Sequence, residues 1–529
     1  MTIETRPGPY RTRRPLLHAD NVVATSQPLA VQAGIDVLKS GGNAVDAAVA
    51  TAITLTVVEP TNNGIGGDLF AIVWDGSRLQ GLNSCGRSPR SLDYDYYQQM
   101  EAIPAKGWDS VTVPGAVRGW QMLSRRFGRL PFARLFDAAI HYAEKGFNVP
   151  PIMADAWHKA AADFADFPEF RRAFLINDQA PVSGQRFSCQ DQATTLRRIA
   201  ESGGSAFYDG DIAEQIAREA EVNGAALSFE DLAGHQSDWV DCLQVPWRSV
   251  KLHEIPPNGQ GMFALLALAI LEQCDLRDAD IDETDFLHWQ IEAMKLALSV
   301  GLDRICDADC LAEEPQSFIS AIDFSALAAS IDPNRAAFPI TSMTPDQGTV
   351  YLATADQGGM MVSLIQSNYH GFGSGIVIPG TGIALHNRGL GFNLVHGHPN
   401  CIAGGKRPYH TIIPAFVSRD GEAEMSFGVM GAHMQAQGHV QVMLRVYDHG
   451  QDVQTALDAP RWYLTPQFDL VVESGFSEST LNELRRRGHR FGEVPSAGTF
   501  GGGQIIRKNP SGGFVAGSDF RKDGCAGGF

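Results

Sequence analysis

Asp346-Gln347-Gly348-Thr349-Val350-Tyr351-Leu352 lies about two-thirds of the way along a chain of 529 residues, and its reading decides the fold. A segment punctuated by Pro315, Pro333, Pro339 and Pro345 runs into it, and strand-forming residues follow. Thr349 to Asp356 and Met360 to Asn368 read as two strands joined by Gln357-Gly358-Gly359. A three-residue loop ending in glycine predicts a type I turn with a G1 bulge. In that register Asp356 faces Met360 and Thr349 faces Ser367; a two-residue loop would put Gln366 opposite instead. Facing residues share a side of the sheet, so the two hydroxyls are expected to meet.

A threonine at a strand start is ordinarily explained by β propensity alone. Three neighbours point further. Gly348 leaves its carbonyl open to attack, Ser367 brings a second hydroxyl, and the turn Gly428-Val429-Met430-Gly431-Ala432 offers backbone N–H groups for an oxyanion. Cleavage before Thr349 would free an α-amine beside the threonine's own hydroxyl, the base that such a nucleophile needs. With a reference pKa of about 8, that amine works near neutral pH.

Outward from this stretch, the N-terminal side reads as helix-rich. Pro28 to Ser40 has helical spacing, Gly41-Gly42 stops it, and Asn43 caps Ala44 to Val58, which is apolar nearly all round and so buried on more than one side. Thr61 to Asp68 holds three glycines, but a helix precedes it and a strand (Leu69 to Asp75) follows, the reverse of a nucleotide loop. Leu79 to Pro89 reads as a strand running into a loop, with Cys85 and Arg87 on one side of it. Helices are predicted at 115–127, 132–145, 190–202 and 285–306, with another starting near Met262; a strand is predicted at 250–254 and a flexible linker from about 313 to 348. Beyond Thr349, strands are expected at 412–418, 423–429, 468–473 and 503–507, and a helix at 437–448. Together these predict a layered α/β architecture.

Composition narrows the function classes. A formal charge of -18 argues against nucleic acid as a partner. Eight scattered cysteines without CxxC spacing read as free thiols of a reducing compartment. Arg11, Arg13 and Arg14 have no apolar run behind them, and no stretch approaches about 18 apolar residues, so no membrane contact and a cytoplasmic location are expected. A metal site needs three or four converging ligands, usually with a carboxylate or cysteine nearby; among His396, His398, His410, His433 and His439, the first two read as loop residues of Val-His-Gly-His-Pro-Asn, and no G-x-S-x-G elbow is present. Neither a metal nor another cofactor is expected.

Several short motifs together resemble the γ-glutamyltranspeptidase family of self-cleaving N-terminal-nucleophile hydrolases. They are Gly41-Gly42-Asn43-Ala44-Val45-Asp46-Ala47-Ala48 with Glu59-Pro60, Gly64-Ile65-Gly66-Gly67, Pro114-Gly115, Gly348-Thr349, Gly371-Phe372-Gly373-Ser374-Gly375 and Ser518-Asp519-Phe520-Arg521-Lys522-Asp523-Gly524. The resemblance implies a four-layer αββα sandwich, one large domain made from two fragments, 1–348 and 349–529, that stay associated after autocatalytic cleavage and leave room for a dimer of heterodimers. It implies that Thr349 attacks first the Gly348 carbonyl and then the substrate amide. Ser367 stands where the family has a supporting threonine, and the N–H groups of Gly431 and Ala432 match the family's oxyanion hole.

The pocket departs from that pattern. Cys85 stands at the family's arginine position with Arg87 displaced by two, His410 and Thr411 replace paired serines, Arg388 replaces a polar side chain, Gly391 replaces an aspartate, and Tyr369 stands where asparagine is common. Without the aspartate an ammonium group loses its partner, and an uncompensated buried charge costs several kcal/mol. Arg87, Tyr369, Arg388, His410 and Thr411 are therefore expected to line a pocket for an anionic small-molecule amide lacking an amine. The pattern resembles the branch that includes oxamate amidohydrolase and glutaryl-cephalosporin-type acylases, and implies a self-processing amidohydrolase. The alternatives are a glutathione hydrolase or γ-glutamyltransferase with a remodelled pocket, and an unprocessed binding protein of the same fold.

Overall fold

Helix Ala44–Val58 has no solvent-facing side: each of its residues is buried. Asn43 and Asp46 close a capping box at its start, and Asp356 Oδ2, from far along the chain, accepts a further hydrogen bond from Ala44 N at 2.7 Å. Burying Val45, Val49, Ile53, Leu55, Val57 and Val58 contributes about 1.5–3 kcal/mol of transfer free energy each. In this computed structural model, which describes residues 14–274, 276, 280–338, 348–494 and 498–529, the helix is a central packing element.

One of its neighbours is a seven-stranded antiparallel sheet ordered Cys525–Gly528, Val22–Thr25, Val350–Ala355, Met361–Ser367, Asp68–Trp74, Leu79–Ser84 and Asp238–Val240. Val350, Leu352, Val362 and Leu364 on one face of this sheet share an apolar cluster with the helix. Tyr351, Ala353, Ala355 and Ile365 on the other face pack against Phe416, Met430, Ile506 and Ala516 of a second sheet. That second sheet is ordered Leu17–Ala19, Phe514–Ser518, Gly502–Lys508, Glu422–Met430, Ala415–Arg419, Val250–Glu254 and Leu243–Trp247. Its far face meets the helices Met262–Leu271, Thr284–Gly301 and Met434–Tyr447 through Ala415, Val417, Phe427 and Val429. Apolar layers thus join helix to sheet, sheet to sheet, and sheet to helix. Both sheets mix strands from before and after Thr349.

Helices Pro28–Lys39, Ala116–Phe127 and Gln190–Glu201 and the strand Val250–Glu254 lie within a residue of their predicted bounds. The segment read as a linker does not hold as one: it contains helices Pro315–Ala321 and Phe324–Ala329. Pro315 occupies the first helical turn, where its missing N–H costs nothing, and Glu314 caps that turn. Residues 339–347 of the proposed linker, Asp346 and Gln347 among them, and Arg11 and Arg13 lie outside the described residues. Among the described residues no helix is long and apolar enough to cross a membrane.

Candidate active site

Strand register builds the site. Val350 pairs with Gln366 and Ala355 with Met361, so the ladder continued by one residue sets Thr349 opposite Ser367, as the three-residue loop predicts. Asp356 N donates to Met360 O at 3.1 Å, and Gly359 takes φ +87°, which fits the predicted bulge. On its other side Ser367 pairs with Asp68, and the Leu69–Ser84 pair brings Cys85 next to Asp68. Thr349, Ser367, Asp68 and Cys85 therefore form one cross-strand row facing the second sheet. All four are buried.

At the head of that row the Thr349 hydroxyl donates to Gly348 O at 2.6 Å and lies 3.4 Å from Ser367 Oγ. Ser367 Oγ donates to the same Gly348 carbonyl at 2.7 Å and accepts from Tyr369 N at 2.8 Å. Two hydroxyls thus converge on the bond between Gly348 and Thr349. Gly348 has φ +101°, and a Cβ there would stand 2.7 Å from Tyr369 O and 2.8 Å from Gly371 N. Tyr369 itself is held at φ +74°, a conformation a bulky residue rarely adopts.

Arg388 reaches this centre from a short turn, Arg388–Gly391. It is fully buried; Nη1 donates to Thr411 Oγ1 at 3.1 Å, Nη2 lies 3.4 Å from Ser367 Oγ, and the guanidinium sits 3.9 Å from the Tyr369 ring centroid. The stack on Tyr369 offsets part of the cost of burying a cation. Gly391 has a steric reason: a Cβ would fall 2.2 Å from Tyr409 O, so no aspartate fits there without moving the chain at 409.

Asp68 is a hub that sequence reasoning missed. Its Oδ1 accepts from Gly86 N (3.1 Å) and Gly115 N (3.0 Å); its Oδ2 lies 3.2 Å from His410 Nε2 and 3.4 Å from His386 Nδ1. Burial alone would raise its pKa, but His386, the His410 hydrogen bond and Arg388 outweigh it and hold the carboxyl well below its usual range. His410 Nδ1 accepts from Ile412 N at 3.3 Å, so Nε2 carries the hydrogen facing Asp68, and burial with the nearby Arg388 charge pushes the imidazole pKa down to about 3. His410 is a neutral support under the site. No sequence signal placed Asp68: its strand pairs with that of Ser367 across a long stretch of chain. His386 lies between Leu385 and Asn387 and had no sequence signal beyond standing two residues before Arg388.

Arg87 does not join the site. The strand ends at Ser84, so the same-side rule for Cys85 and Arg87 lapses. Cys85 turns inward, where Asn258 Nδ2 lies 3.4 Å from its sulfur and burial raises its thiol pKa; Arg87 instead pairs with Asp307 at 2.5 Å and Asp309 at 3.0 Å. It lines a separate cavity of about 240 Å³ with Arg90, Asp231 and Arg407.

The turn bearing Gly431 and Ala432 links Glu422–Met430 to Met434–Tyr447, with φ of +122° and +57° at the two residues. Gln260 ties it to the pocket: its Nε2 donates to Ala432 O at 2.8 Å and to Thr411 O at 2.6 Å, and its Oε1 accepts from Tyr409 OH at 2.7 Å. A relay of hydrogen bonds and close polar contacts thus runs from Thr349 through Ser367, Arg388 and Thr411 to the turn.

Two groups of buried donor atoms, Asp68/Cys85/His410 and His288/Glu292/His489, are each close enough for one ion to reach. In the first the His410 Nε2 hydrogen faces the carboxylate and the Arg388 charge is near. In the second Lys295 Nζ bonds Glu292 Oε1 at 2.7 Å, and His288 bridges His489 and Asp332 O. Both are internally bonded, cation-flanked clusters, which is poor chemistry for a metal.

The family model described as gamma-glutamyltranspeptidase matches residues 30–529. The glutathione hydrolase-like YwrD proenzyme of Bacillus subtilis (strain 168) is 33% identical over 515 residues, covering 96% of this chain and 98% of that protein. The oxamate amidohydrolase proenzyme of Klebsiella pneumoniae is 32% identical over 532 residues, covering 97% and 100%. Among solved structures, the cephalosporin acylase from Bacillus halodurans superposes with a TM-score of 0.93 at 43% identity, covering 100% of this chain and 99% of that one. The chain belongs to the gamma-glutamyltranspeptidase family, alongside members named oxamate amidohydrolase and acylase.

Proposed function

We propose that this protein is a self-processing amidohydrolase with the four-layer αββα sandwich of N-terminal-nucleophile hydrolases, acting on a small amide whose acyl group carries a carboxylate. The chain is cut before Thr349. The freed α-amine takes the Thr349 hydroxyl proton as Oγ1 attacks the substrate carbonyl carbon. The C–N bond then breaks, the leaving amine takes up a proton, and water hydrolyses the acyl ester to release the acid and restore the hydroxyl. Ser367 holds the nucleophile's hydroxyl, and the N–H groups of Gly431 and Ala432 receive the oxyanion, each such donor contributing roughly 3–4 kcal/mol.

The observation that carries this reading is the buried Arg388 guanidinium, one hydroxyl away from Thr349. Arg388, Thr411 and the Tyr369 ring form the anion pocket, His410 supports it through Asp68, and Arg87 contributes nothing to it. The backbone contact at Gly391 leaves no room for a carboxylate to hold a substrate ammonium, which favours amine-free acyl groups over γ-glutamyl ones. Names among the relatives fit such chemistry: oxamate amidohydrolase for one, cephalosporin acylase for another.

The test is ammonia release from oxamate measured beside glutamate release from glutathione with the processed protein. Faster turnover of oxamate, or of another amine-free carboxylated amide, is expected. Preferential release of glutamate would replace this reading with a glutathione hydrolase.

A further inference from the structure

The turn proposed to receive the oxyanion is held by its carbonyls. Gly431 and Ala432 take φ of +122° and +57°, and the second is a conformation that a residue with a Cβ seldom adopts. Among the described residues neither of their N–H groups donates a hydrogen bond to the protein. Two free amides suit an oxyanion, but they do not fasten the turn. Gly431 O accepts from Met434 N at 2.9 Å and Ala432 O from Gln435 N at 3.2 Å, both in the first turn of the helix that follows. The bond from Gln260 Nε2 to Ala432 O differs, because its donor comes from the loop between Val250–Glu254 and Met262–Leu271.

Gln260 is buried, and both of its Nε2 hydrogens are used, one on Ala432 O and one on Thr411 O, while Oε1 accepts from Tyr409 OH. Carbonyl oxygens only accept, so the reverse orientation would set Oε1 against two of them; the amide has one workable placement. Its backbone is pinned as well. Gln260 N donates to His410 O at 3.0 Å, and His410 N donates to Asn258 O at 2.8 Å. One side chain therefore spans from Thr411, whose hydroxyl accepts from Arg388, to the oxyanion turn. A substrate held by its carboxylate at Arg388 must present its scissile carbonyl to Gly431 and Ala432, so that span has to be fixed.

We infer that Gln260 is a positioning residue: it holds the turn of Gly431 and Ala432 at a set distance from the Arg388 pocket, so that both N–H groups meet the oxyanion of a substrate whose carboxylate Arg388 binds. The inference rests on the proposed roles of Arg388 and of that turn. Gln260 touches neither substrate nor nucleophile and takes no part in a bond made or broken. Removing its amide leaves the segment around Thr411 with its backbone bonds to 258–260 and with Arg388 on Thr411 Oγ1. It also leaves the contacts at the Gly348–Thr349 bond in place. Ala432 O, in contrast, loses the bond that comes from outside its own helix. The effect falls on the transition state and spares carboxylate binding.

The experiment compares wild type and Gln260→Met in the extent of self-cleavage on a denaturing gel, and in kcat and KM for oxamate and for glutaryl-p-nitroanilide. Complete cutting, KM within about 3-fold of wild type and kcat lower by roughly 10- to 100-fold are expected, the order of loss that follows from misplacing groups around the reacting carbonyl. Wild-type kcat in Q260M, a KM that rises as far as kcat falls, or loss of self-cleavage would overturn the positioning role and leave the proposed activity standing. A cut wild type that turns over neither amide would overturn the proposed activity, and the inference with it. Should Q260M fail to fold, Gln260→Glu decides: a carboxyl offers the two carbonyls at most one hydrogen, so the same split is expected, and unchanged kcat overturns the inference.

Discussion

Arg388 holds a charge where none is solvated, bonded to one hydroxyl, near a second, and stacked on one ring. Truncating a buried, bonded charge partner typically costs about 2–5 kcal/mol. Arg388→Ala should therefore raise KM for a carboxylate-bearing amide by roughly 30-fold or more while the extent of self-cleavage holds, because Arg388 touches the pocket and not the scissile bond. Steady-state kinetics beside a denaturing gel check this, and equal losses in both would contradict it. Thr349 and Ser367 were legible in the sequence because their meeting depends only on a loop length. Asp68 was not, because its pairing with Ser367 joins strands far apart in the chain, which no loop length reveals. Arg87 was misplaced because its position was argued from a strand that ends at Ser84. His410 and Thr411 do gather near Arg388, but His410 serves Asp68.

Between residue and whole, the hairpin of Val350–Ala355 and Met361–Ser367 shows what sequence patterns reveal. Its strands are buried on both faces, so the usual alternation of apolar and polar residues is missing, and the turn had to carry the reading. Ala44–Val58 was legible for the same reason in reverse: a helix apolar on all sides has only one place to go. Pro315–Ala321 was not, because proline in a first helical turn looks like proline in a loop. The hairpin's entry at Gly348 carries its own prediction. Gly348→Ala forces φ +101° on a residue with a Cβ and drives that atom toward Tyr369 O and Gly371 N. The added Cβ must shift the Gly348 carbonyl relative to the Thr349 hydroxyl, and losing about 1–3 kcal/mol of that alignment in the transition state should slow self-cleavage by roughly 5- to 150-fold. A time course of intact and cut chain measures it, and cleavage at the wild-type rate would contradict the placement of the scissile bond.

Across the whole molecule, the parts of the chain before and after Thr349 are woven together. Val22–Thr25 lies between Cys525–Gly528 and Val350–Ala355, and Val250–Glu254 pairs with Ala415–Arg419, so parting residues 1–348 from 349–529 after the proposed cut would mean breaking both sheets. The cut protein should elute as one species on gel filtration and separate only in denaturant; separation in native buffer would contradict the interleaving. Acid should weaken it. Burial lowers the pKa of His410 and His235 to about 3 and of His253 to about 4. Between these values and about 6.5 the unfolded chain binds protons that the folded one refuses, so stability is full above that range and falls with pH, by up to about 1.4 kcal/mol per unit for each histidine. Asp68, with its depressed pKa, adds a loss in the same direction below about pH 4. Thermal melts from pH 7.5 to 4.5 should show a falling Tm, and a flat profile would contradict neutral burial. The central claim, that Thr349 is released as an N-terminal nucleophile, is tested most directly by intact mass under denaturing conditions for wild type and Thr349→Ala. Two masses matching residues 1–348 and 349–529 in the wild type, and one uncut chain in the variant, are predicted; an uncut wild-type chain, or cleavage that survives in the variant, would contradict it.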